Sequence, residues 1–404
     1  MTDQLRFLPE PGIDPAGLPL SELRPPFLTV NRSAIEHNAA EMARWCRAQD
    51  VLIAPHGKTT MSPWLWQLQL DQGAWGITVA TEQQLVTAYR LGVRRVVLAN
   101  NLVRPAALRW LAEVLADDAG FGFVCWVDTV AVVEQMARVL GEVVRPVPVL
   151  VELGMEQGRT GARGLPEALA VAEAVGRTPS LSLAGVAGYE GLVHGEDGLE
   201  QARSYLRDVA TLAKTVLPLV SGPAVISAGG SAYFDVVAEE LGELRDERTE
   251  LLLRSGAYIT HDDGAYTGWT PRHRGAAEDP SQPDFQPALR VWATVISQPE
   301  PGLVLLDAGR RDLPDDSGMP MSRGVVQVGA DGSWGELKPY AGEVTELNDH
   351  HCFVRCEPGT EPAVGDVVSL GISHPCTALD RWRGLVVIPS AEDLVVDRVE
   401  LTYF

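Results

Sequence analysis

From Val51 onward the chain alternates short apolar runs with longer segments of helical period. The runs fall at residues 51–54, 75–80, 95–99, 122–127, 147–153, 183–188, 224–228 and 250–254. Continuous Val/Ile/Leu-rich runs of this length read as strands buried on both faces. The segments between them mostly read as helices. Trp64, Leu65 and Leu68 share one helical face that ends at Gly73, and Ser62-Pro63 reads as an N-cap followed by a first helical residue. Thr81-Glu82-Gln83-Gln84 has the form of a capping box, followed by Leu85, Ala88 and Tyr89 on one face and Gly92 as C-cap. Eight βα units over about 230 residues fit a (β/α)8 barrel. The competing architecture is an open doubly wound sheet, which usually has fewer strands.

Flanking this α/β region the pattern changes. Residues 1–26 are Pro-rich and read as an irregular lead-in, free to join a later domain. Phe27-Leu28-Thr29-Val30 reads as a short strand, and Ser33 opens a helix to about Ala48 with Ile35, Ala39, Met42, Ala43 and Cys46 at helical spacing. Pro271, Pro280, Pro283 and Pro287 punctuate residues 271–288, which read as a linker. After it, strand-like runs at 289–296, 303–306, 324–328, 343–347, 352–356, 367–370, 385–388 and 394–399 follow at hairpin-length gaps, most of them without helical connectors. The expected organisation is therefore a lead-in over 1–26, a barrel domain over 27–270, a linker over 271–288 and a C-terminal all-β domain over 289–404.

Composition narrows the function classes. Lys and Arg number 33 against 54 Asp and Glu, a formal charge of −21. A phosphate-backbone binder needs the opposite balance, so nucleic acid is not an expected partner. No apolar run reaches the roughly 18 residues that span a bilayer, so no membrane partner is expected either. Cys46, Cys125, Cys352, Cys356 and Cys376 are odd in number and widely spaced, which is no disulfide framework and points to the cytoplasm.

In a parallel barrel the chemistry sits at the C-terminal ends of the strands. The first strand ends in Pro55-His56-Gly57, and Lys58 follows at once. An amine at such a mouth, its stem packed and its head partly dehydrated, suits Schiff-base chemistry. The bland alternative is a solvated loop lysine. The fifth strand leads into Glu152-Leu153-Gly154 and on to Arg159 between glycines, placed either to meet a planar acceptor such as a ring nitrogen or to form a surface ion pair. The sixth leads into Gly188-Tyr189-Glu190-Gly191 and His194, a loop bordering the mouth. The seventh ends in Ser227-Ala228-Gly229-Gly230-Ser231, where paired glycines let amides approach an anion, although Gly-Gly alone commonly marks only a turn. The eighth runs into Arg254-Ser255-Gly256-Ala257-Tyr258 and brings a phenol to the same end.

The β domain contributes Ser373-His374-Pro375-Cys376. On an extended segment His374 and Cys376 point to one side, and imidazole plus thiolate suit zinc in an open site. A core cysteine beside a hydrogen-bonded histidine accounts for the same pair. His350, His351 and Cys352 read as surface or core positions, because neighbouring strand residues face opposite ways.

Together, lysine after the first strand, arginine after the fifth, Gly-Gly after the seventh and tyrosine after the eighth resemble the alanine racemase-like pyridoxal-phosphate enzymes. Val30-Asn31-Arg32-Ser33-Ala34-Ile35-Glu36-His37-Asn38 is similar to the entry helix of that family. His56-Gly57-Lys58-Thr59 and Ser373-His374-Pro375-Cys376-Thr377-Ala378-Leu379-Asp380-Arg381-Trp382 resemble its D-serine dehydratase and D-threonine aldolase branch. The branch often has Lys-Thr-His-Lys where this chain has Lys58-Thr59-Thr60-Met61, so one basic residue is lost. The resemblance implies a (β/α)8 barrel followed by a β domain and a homodimer. It implies pyridoxal phosphate on Lys58, Arg159 at the ring nitrogen, and Gly229, Gly230, Ser231 and Tyr258 at the phosphate. His56, Tyr189 and Ser227 complete the expected cofactor-binding set. His374 and Cys376 would hold zinc or another divalent metal. A His-x-Cys pair goes with dehydratases in this branch and His-x-Asp with aldolases. The implied activity is dehydration of a D-β-hydroxy amino acid (D-serine, D-threonine or 3-hydroxyaspartate type) to a keto acid and ammonia. The alternatives are an aldolase-type lyase, an amino-acid racemase and a non-catalytic pyridoxal-phosphate carrier.

Overall fold

The apolar runs of the first half form eight parallel strands of one sheet. The structure, a computed structural model, describes residues 5–10, 13–193, 195, 197–275 and 277–404; His194 lies outside them. Two units are distinguishable. One holds the residues up to Met42, Thr59–Leu68 and Ala257–Phe404, and the other holds Ala43–Lys58 and Gln69–Gly256.

In chain order the elements begin with β1 (Phe27–Asn31) and α1 (Arg32–Ala48). An alternation follows: β2 (Leu52–Ile53), α2 (Pro63–Asp71), β3 (Ile77–Val79), α3 (Glu82–Arg90), β4 (Arg95–Asn101), α4 (Pro105–Asp117), β5 (Gly122–Val127), α5 (Val130–Leu140) and β6 (Val147–Leu153). It continues through α6 (Leu165–Gly176), β7 (Leu181–Gly188), α7 (Gly198–Val216), β8 (Ala224–Ser227), α8 (Phe234–Leu241) and β9 (Thr249–Leu253). The strand order is β2-β9-β8-β7-β6-β5-β4-β3. The two ends of that order meet, because Trp75 and Thr78 donate their amides to the carbonyls of Ile53 and Pro55, each at 2.8 Å, and His56 bridges Thr78 in parallel register. The sheet is thus a closed barrel, and the open-sheet alternative falls. Ala54, Val97, Val124, Trp126, Leu150, Ala187 and Leu252, from six of the strands or their ends, pack inside it.

α1 and α3 bury predicted positions, Ile35, Ala39, Met42 and Cys46 in one and Leu85 and Ala88 in the other, whereas α2 buries Leu65, Trp66 and Gln69 and leaves Trp64 and Leu68 half-buried. Thr81 accepts from the Gln84 amide at 3.2 Å and Gln84 Oε1 accepts from the Ala80 amide at 2.9 Å, so the capping box is made one residue early on its return arm. The Ser62 cap is not made. Its carbonyl accepts the first helical bond from Trp66 at 3.0 Å, but its hydroxyl is buried without a hydrogen-bond partner, and Pro63 has removed one amide near the helix start.

The remaining elements are α9 (Ala265–Trp269), β10 (Leu289–Glu300), β11 (Leu303–Leu306), β12 (Met321–Val328), β13 (Trp334–Pro339), β14 (Glu343–Leu347), β15 (Cys352–Arg355), β16 (Val367–Gly371), α10 (Pro375–Leu379), β17 (Gly384–Ile388) and β18 (Arg398–Leu401). The strands form one sheet of order β11-β15-β14-β12-β16-β10-β1-β17-β18, with β13 on β12. β1 lies inside this sheet, antiparallel to β10 and parallel to β17. Its first four residues are buried, as a strand flanked on both sides requires, and Thr29 Oγ1 accepts from Trp292 Nε1 at 2.9 Å. The lead-in runs beside the last segment, with Gly17 and Leu20 donating to the carbonyls of Val396 and Leu394. The Pro-rich stretch 271–288 is tied down near its end, where Asn38 exchanges two side-chain bonds with the Gln286 backbone and Phe285 is buried. Together these observations give the expected class, a (β/α)8 barrel followed by an all-β C-terminal region.

Candidate active site

Lys58 lies in a single 3₁₀ turn, Gly57–Thr59, directly after β2, and is half-buried. The seven residues from His56 to Ser62 contain three polar atoms, His56 Nδ1, Thr60 Oγ1 and Ser62 Oγ, that are buried without a hydrogen-bond partner. Met61 has φ of +40°, a left-handed conformation that costs a non-glycine residue stability. Unpaired buried atoms and backbone strain concentrated in one stretch are marks of a functional segment. Burial, then the positive charges of Lys58, Arg254 and Arg159, hold the His56 imidazole well below its ordinary pKa. It is a neutral ring at physiological pH. Gly256 lies against it, and a Cβ there would stand 2.7 Å from His56 Cβ and its carbonyl oxygen.

The other barrel strands supply the surrounding groups. Glu190 is fully buried, and its carboxylate accepts from the amides of Gly229 at 3.1 Å and Gly230 at 2.6 Å. The paired-glycine amides expected to meet a phosphate are therefore spent on an internal carboxylate. The nest is an anion site, as its geometry requires. Ser231 Oγ accepts from the Gly256 amide at 3.3 Å. Arg159 is exposed, with its guanidinium 4.7 Å over the Tyr189 ring. Tyr205 donates to the Leu153 carbonyl at 2.6 Å and accepts from the Tyr189 amide at 2.9 Å, which joins the ends of β6 and β7.

Arg254 is the group that sequence reasoning passed over. It is buried, donates to Ser227 Oγ and to the Gly188 carbonyl at 2.7 Å each, and stacks 5.2 Å over Trp126. Ser227 is thus occupied with Arg254 and with the Leu252 carbonyl. Glu152 is buried with one oxygen unpaired, and burial pushes its carboxyl up against the opposing effects of Thr160 and Arg254. The available signal was an arginine at the end of an apolar strand, where an unpaired charge is costly.

In the other unit, Tyr258 is buried on a 3₁₀ turn with its ring 5.7 Å from Phe285. His374 and Cys376 do not lie on an extended segment. Pro375 opens the short helix α10, with His374 as its extended N-cap residue. Their side chains still lie near enough for Cys376 to act on the imidazole. Cys376 Sγ lies 3.1 Å from the hydroxyl of Thr59, the residue after Lys58. His374 Nδ1 lies 2.6 Å from Asp316 Oδ2. Burial alone pulls the imidazole down, but Cys376 and Asp316 outweigh it and hold the pKa up to about 9. Among the described residues no three His, Cys, Asp or Glu side chains form a metal-holding group. Two convergent soft and borderline donors with further positions left open fit a catalytic zinc-type ion. The barrel residues fit a pyridoxal-type cofactor through the half-buried lysine and the buried, unpartnered nitrogen of a neutral imidazole.

A closed parallel barrel followed by an all-β region is the architecture of the chain. Residues 30–242 match the family described as "Alanine racemase, N-terminal domain" and residues 288–388 the one described as "Putative serine dehydratase domain". The chain belongs to the alanine racemase-like, fold type III pyridoxal-phosphate enzymes that carry a D-serine dehydratase-like domain. It is similar to a D-threonine aldolase of Arthrobacter sp, 30% identical over 92% of this chain and 91% of that one. It is also similar to a D-threo-3-hydroxyaspartate dehydratase of Delftia sp. (strain HT23), 27% identical over 87% and 89%. The crystal structure of D-threonine aldolase from Filomicrobium marinum shares the fold with a TM-score of 0.79 at 22% identity, covering 96% of this chain and 97% of that one.

Proposed function

We propose that the protein is a pyridoxal-phosphate-dependent lyase of a D-β-hydroxy amino acid, and within that class a zinc-dependent dehydratase releasing ammonia and a keto acid. The carrying observation is Cys376, two residues from His374, with its sulfur 3.1 Å from the hydroxyl of the residue following Lys58. When bound, pyridoxal phosphate supplies an electron sink for the charge left at Cα, and the divalent ion supplies a Lewis acid for the β-oxygen. In this reading Lys58 holds the cofactor and takes the Cα proton, a general-base contribution of about 10²–10⁴-fold. Its single fixed position selects one configuration, for which the family resemblance gives D. His56, neutral and packed on Gly256, would flank the ring without adding charge. Arg159 with Tyr189 would border the ring nitrogen, while Ser231 and Tyr258 would hold the phosphate with Gly229 and Gly230 shaping its seat. Ser227 would act through Arg254. His374 and Cys376 would hold the ion. The family resemblance and five free thiols support a homodimer and a cytoplasmic setting respectively.

A second reading, an aldolase yielding glycine and an aldehyde, is favoured by the 30% identity to a D-threonine aldolase over nearly the whole chain. Product analysis on D-threonine separates them. Ammonia and 2-oxobutanoate support the dehydratase, glycine and acetaldehyde the aldolase, and no turnover of any D-β-hydroxy amino acid overturns the lyase reading.

A further inference from the structure

We propose that Asp316 is a positioning residue that aims His374 at the metal. The proposal rests on the reading that His374 and Cys376 hold a divalent ion. Asp316 lies in the loop between β11 and β12, which is anchored on both sides of the carboxylate. Trp382 Nε1 donates to the Asp312 carbonyl at 3.2 Å, and Ser373 Oγ donates to the Gly318 carbonyl at 2.6 Å. From that platform the two carboxylate oxygens reach opposite ends of one turn. Oδ2 meets His374 Nδ1 at 2.6 Å, and Oδ1 accepts from Thr377 Oγ1 at 2.6 Å. The nearest competitor for the ring, Ser317 Oγ, stands at 3.4 Å from Nδ1.

An ionised carboxylate only accepts, so the proton between the two groups belongs to Nδ1. With Nδ1–H committed to Asp316, Nε2 is the nitrogen left to offer its lone pair to a metal once the ring is neutral. That commitment also fixes the ring plane, because Nδ1 cannot turn away without breaking a charge-assisted bond. Both oxygens are engaged with the 374–377 turn, and among the described residues no third acidic or thiol group joins the pair, so the carboxylate acts through the imidazole. Thr377 completes the brace by tying the helix that carries Cys376 to the same carboxylate.

The test measures the Kd of Co²⁺ by chelator competition, together with the visible spectrum of the bound ion, on the full-length, cofactor-loaded and metal-stripped protein. Asp316→Ala is expected to weaken Co²⁺ about 10–100-fold and to shift its ligand-field bands at saturating metal. Asp316→Asn, whose carbonyl still accepts from Nδ1–H, should recover most of both. Thermal unfolding of each variant separates a general loss of structure from a loss of aim. An unchanged Kd and spectrum in Asp316→Ala overturn the proposal. So does a loss in both Asp316 variants as complete as in His374→Ala, which makes Asp316 itself a ligand. Unchanged affinity in His374→Ala removes the metal reading, and the proposal falls with it.

Discussion

The carboxylate of Glu190 is seated on the amides of Gly229 and Gly230, at 3.1 Å and 2.6 Å, where the paired glycines would otherwise receive an external anion. Removing it leaves two buried donors unpaired, each costing about 1–3 kcal/mol. Glu190→Ala should therefore lower unfolding stability in urea by a few kcal/mol, and Glu190→Gln, which keeps an acceptor, by less. Inorganic phosphate should raise the Tm of Glu190→Ala more than that of the parent protein. Equal effects of phosphate on both would show that the nest does not open when the carboxylate is gone.

Lys58 is expected to capture the cofactor covalently. Borohydride treatment of the yellow holoprotein should fix the cofactor to the peptide containing Lys58, and Lys58→Ala should yield no reducible adduct. A reducible adduct in that variant would place the attachment on another residue.

Much of this was legible because its signals are local. The eight barrel strands are apolar on both faces, so each appears as an uninterrupted run, and the loops that carry Lys58, Arg159 and Gly229-Gly230 follow from strand ends. What escaped depended on partners remote in sequence. β13, Trp-Gly-Glu-Leu-Lys-Pro, is an edge strand of glycine, charge and proline with no apolar alternation, and it exists because β12 supplies a ladder. Arg254 closes the apolar run 250–254, and its role is visible only once Ser227, Gly188 and Trp126 are placed around it. Asp316 stands 58 residues before His374, beyond any local spacing rule. The helical start at Pro375 was available in the sequence, since proline is at home in a first helical turn.

The two arginines separate by burial. Arg159 is exposed over Tyr189, so Arg159→Ala should change stability by less than about 0.5 kcal/mol, whereas Arg254→Met removes the donors to Ser227 Oγ and the Gly188 carbonyl and should cost about 1–3 kcal/mol. Arg159→Glu should shift the cofactor's visible absorption if this guanidinium faces the ring nitrogen, because a carboxylate can accept a proton from that nitrogen and arginine cannot. An unmoved spectrum in Arg159→Glu alongside a moved one in Arg254→Lys would transfer the role to Arg254.

Asp262 gives the stability a pH dependence with a definite sign. Burial pushes its carboxyl up to about 7, against the bonds it accepts from the amides of Gly264 and Tyr266. The folded state therefore holds this proton at pH values where the unfolded chain has released it. This contribution is present below the ordinary aspartate pKa and is lost as pH rises towards 7. Asp262→Asn should flatten the decline in urea midpoint between pH 4 and 7. An identical slope in the variant would show that Asp262 is ionised throughout.

Sulfur and imidazole together favour zinc among the divalent ions a cell offers, whereas an oxygen in place of the sulfur favours manganese or magnesium. Metal removal with EDTA should abolish turnover but leave borohydride capture at Lys58 intact, because the cofactor and the ion are held by different side chains. Cys376→Ala should behave like the stripped protein. Cys376→Asp, which restores an anionic donor of different hardness, should regain activity with Mn²⁺ in preference to Zn²⁺. If the thiolate also selects the bond that breaks, the same variant should form more glycine and aldehyde, and less ammonia and keto acid, from D-threonine. A retained zinc preference would show that Cys376 is not a ligand. Full activity in metal-free protein would remove the ion from the reaction, and a changed metal preference with unchanged products would separate metal choice from reaction choice.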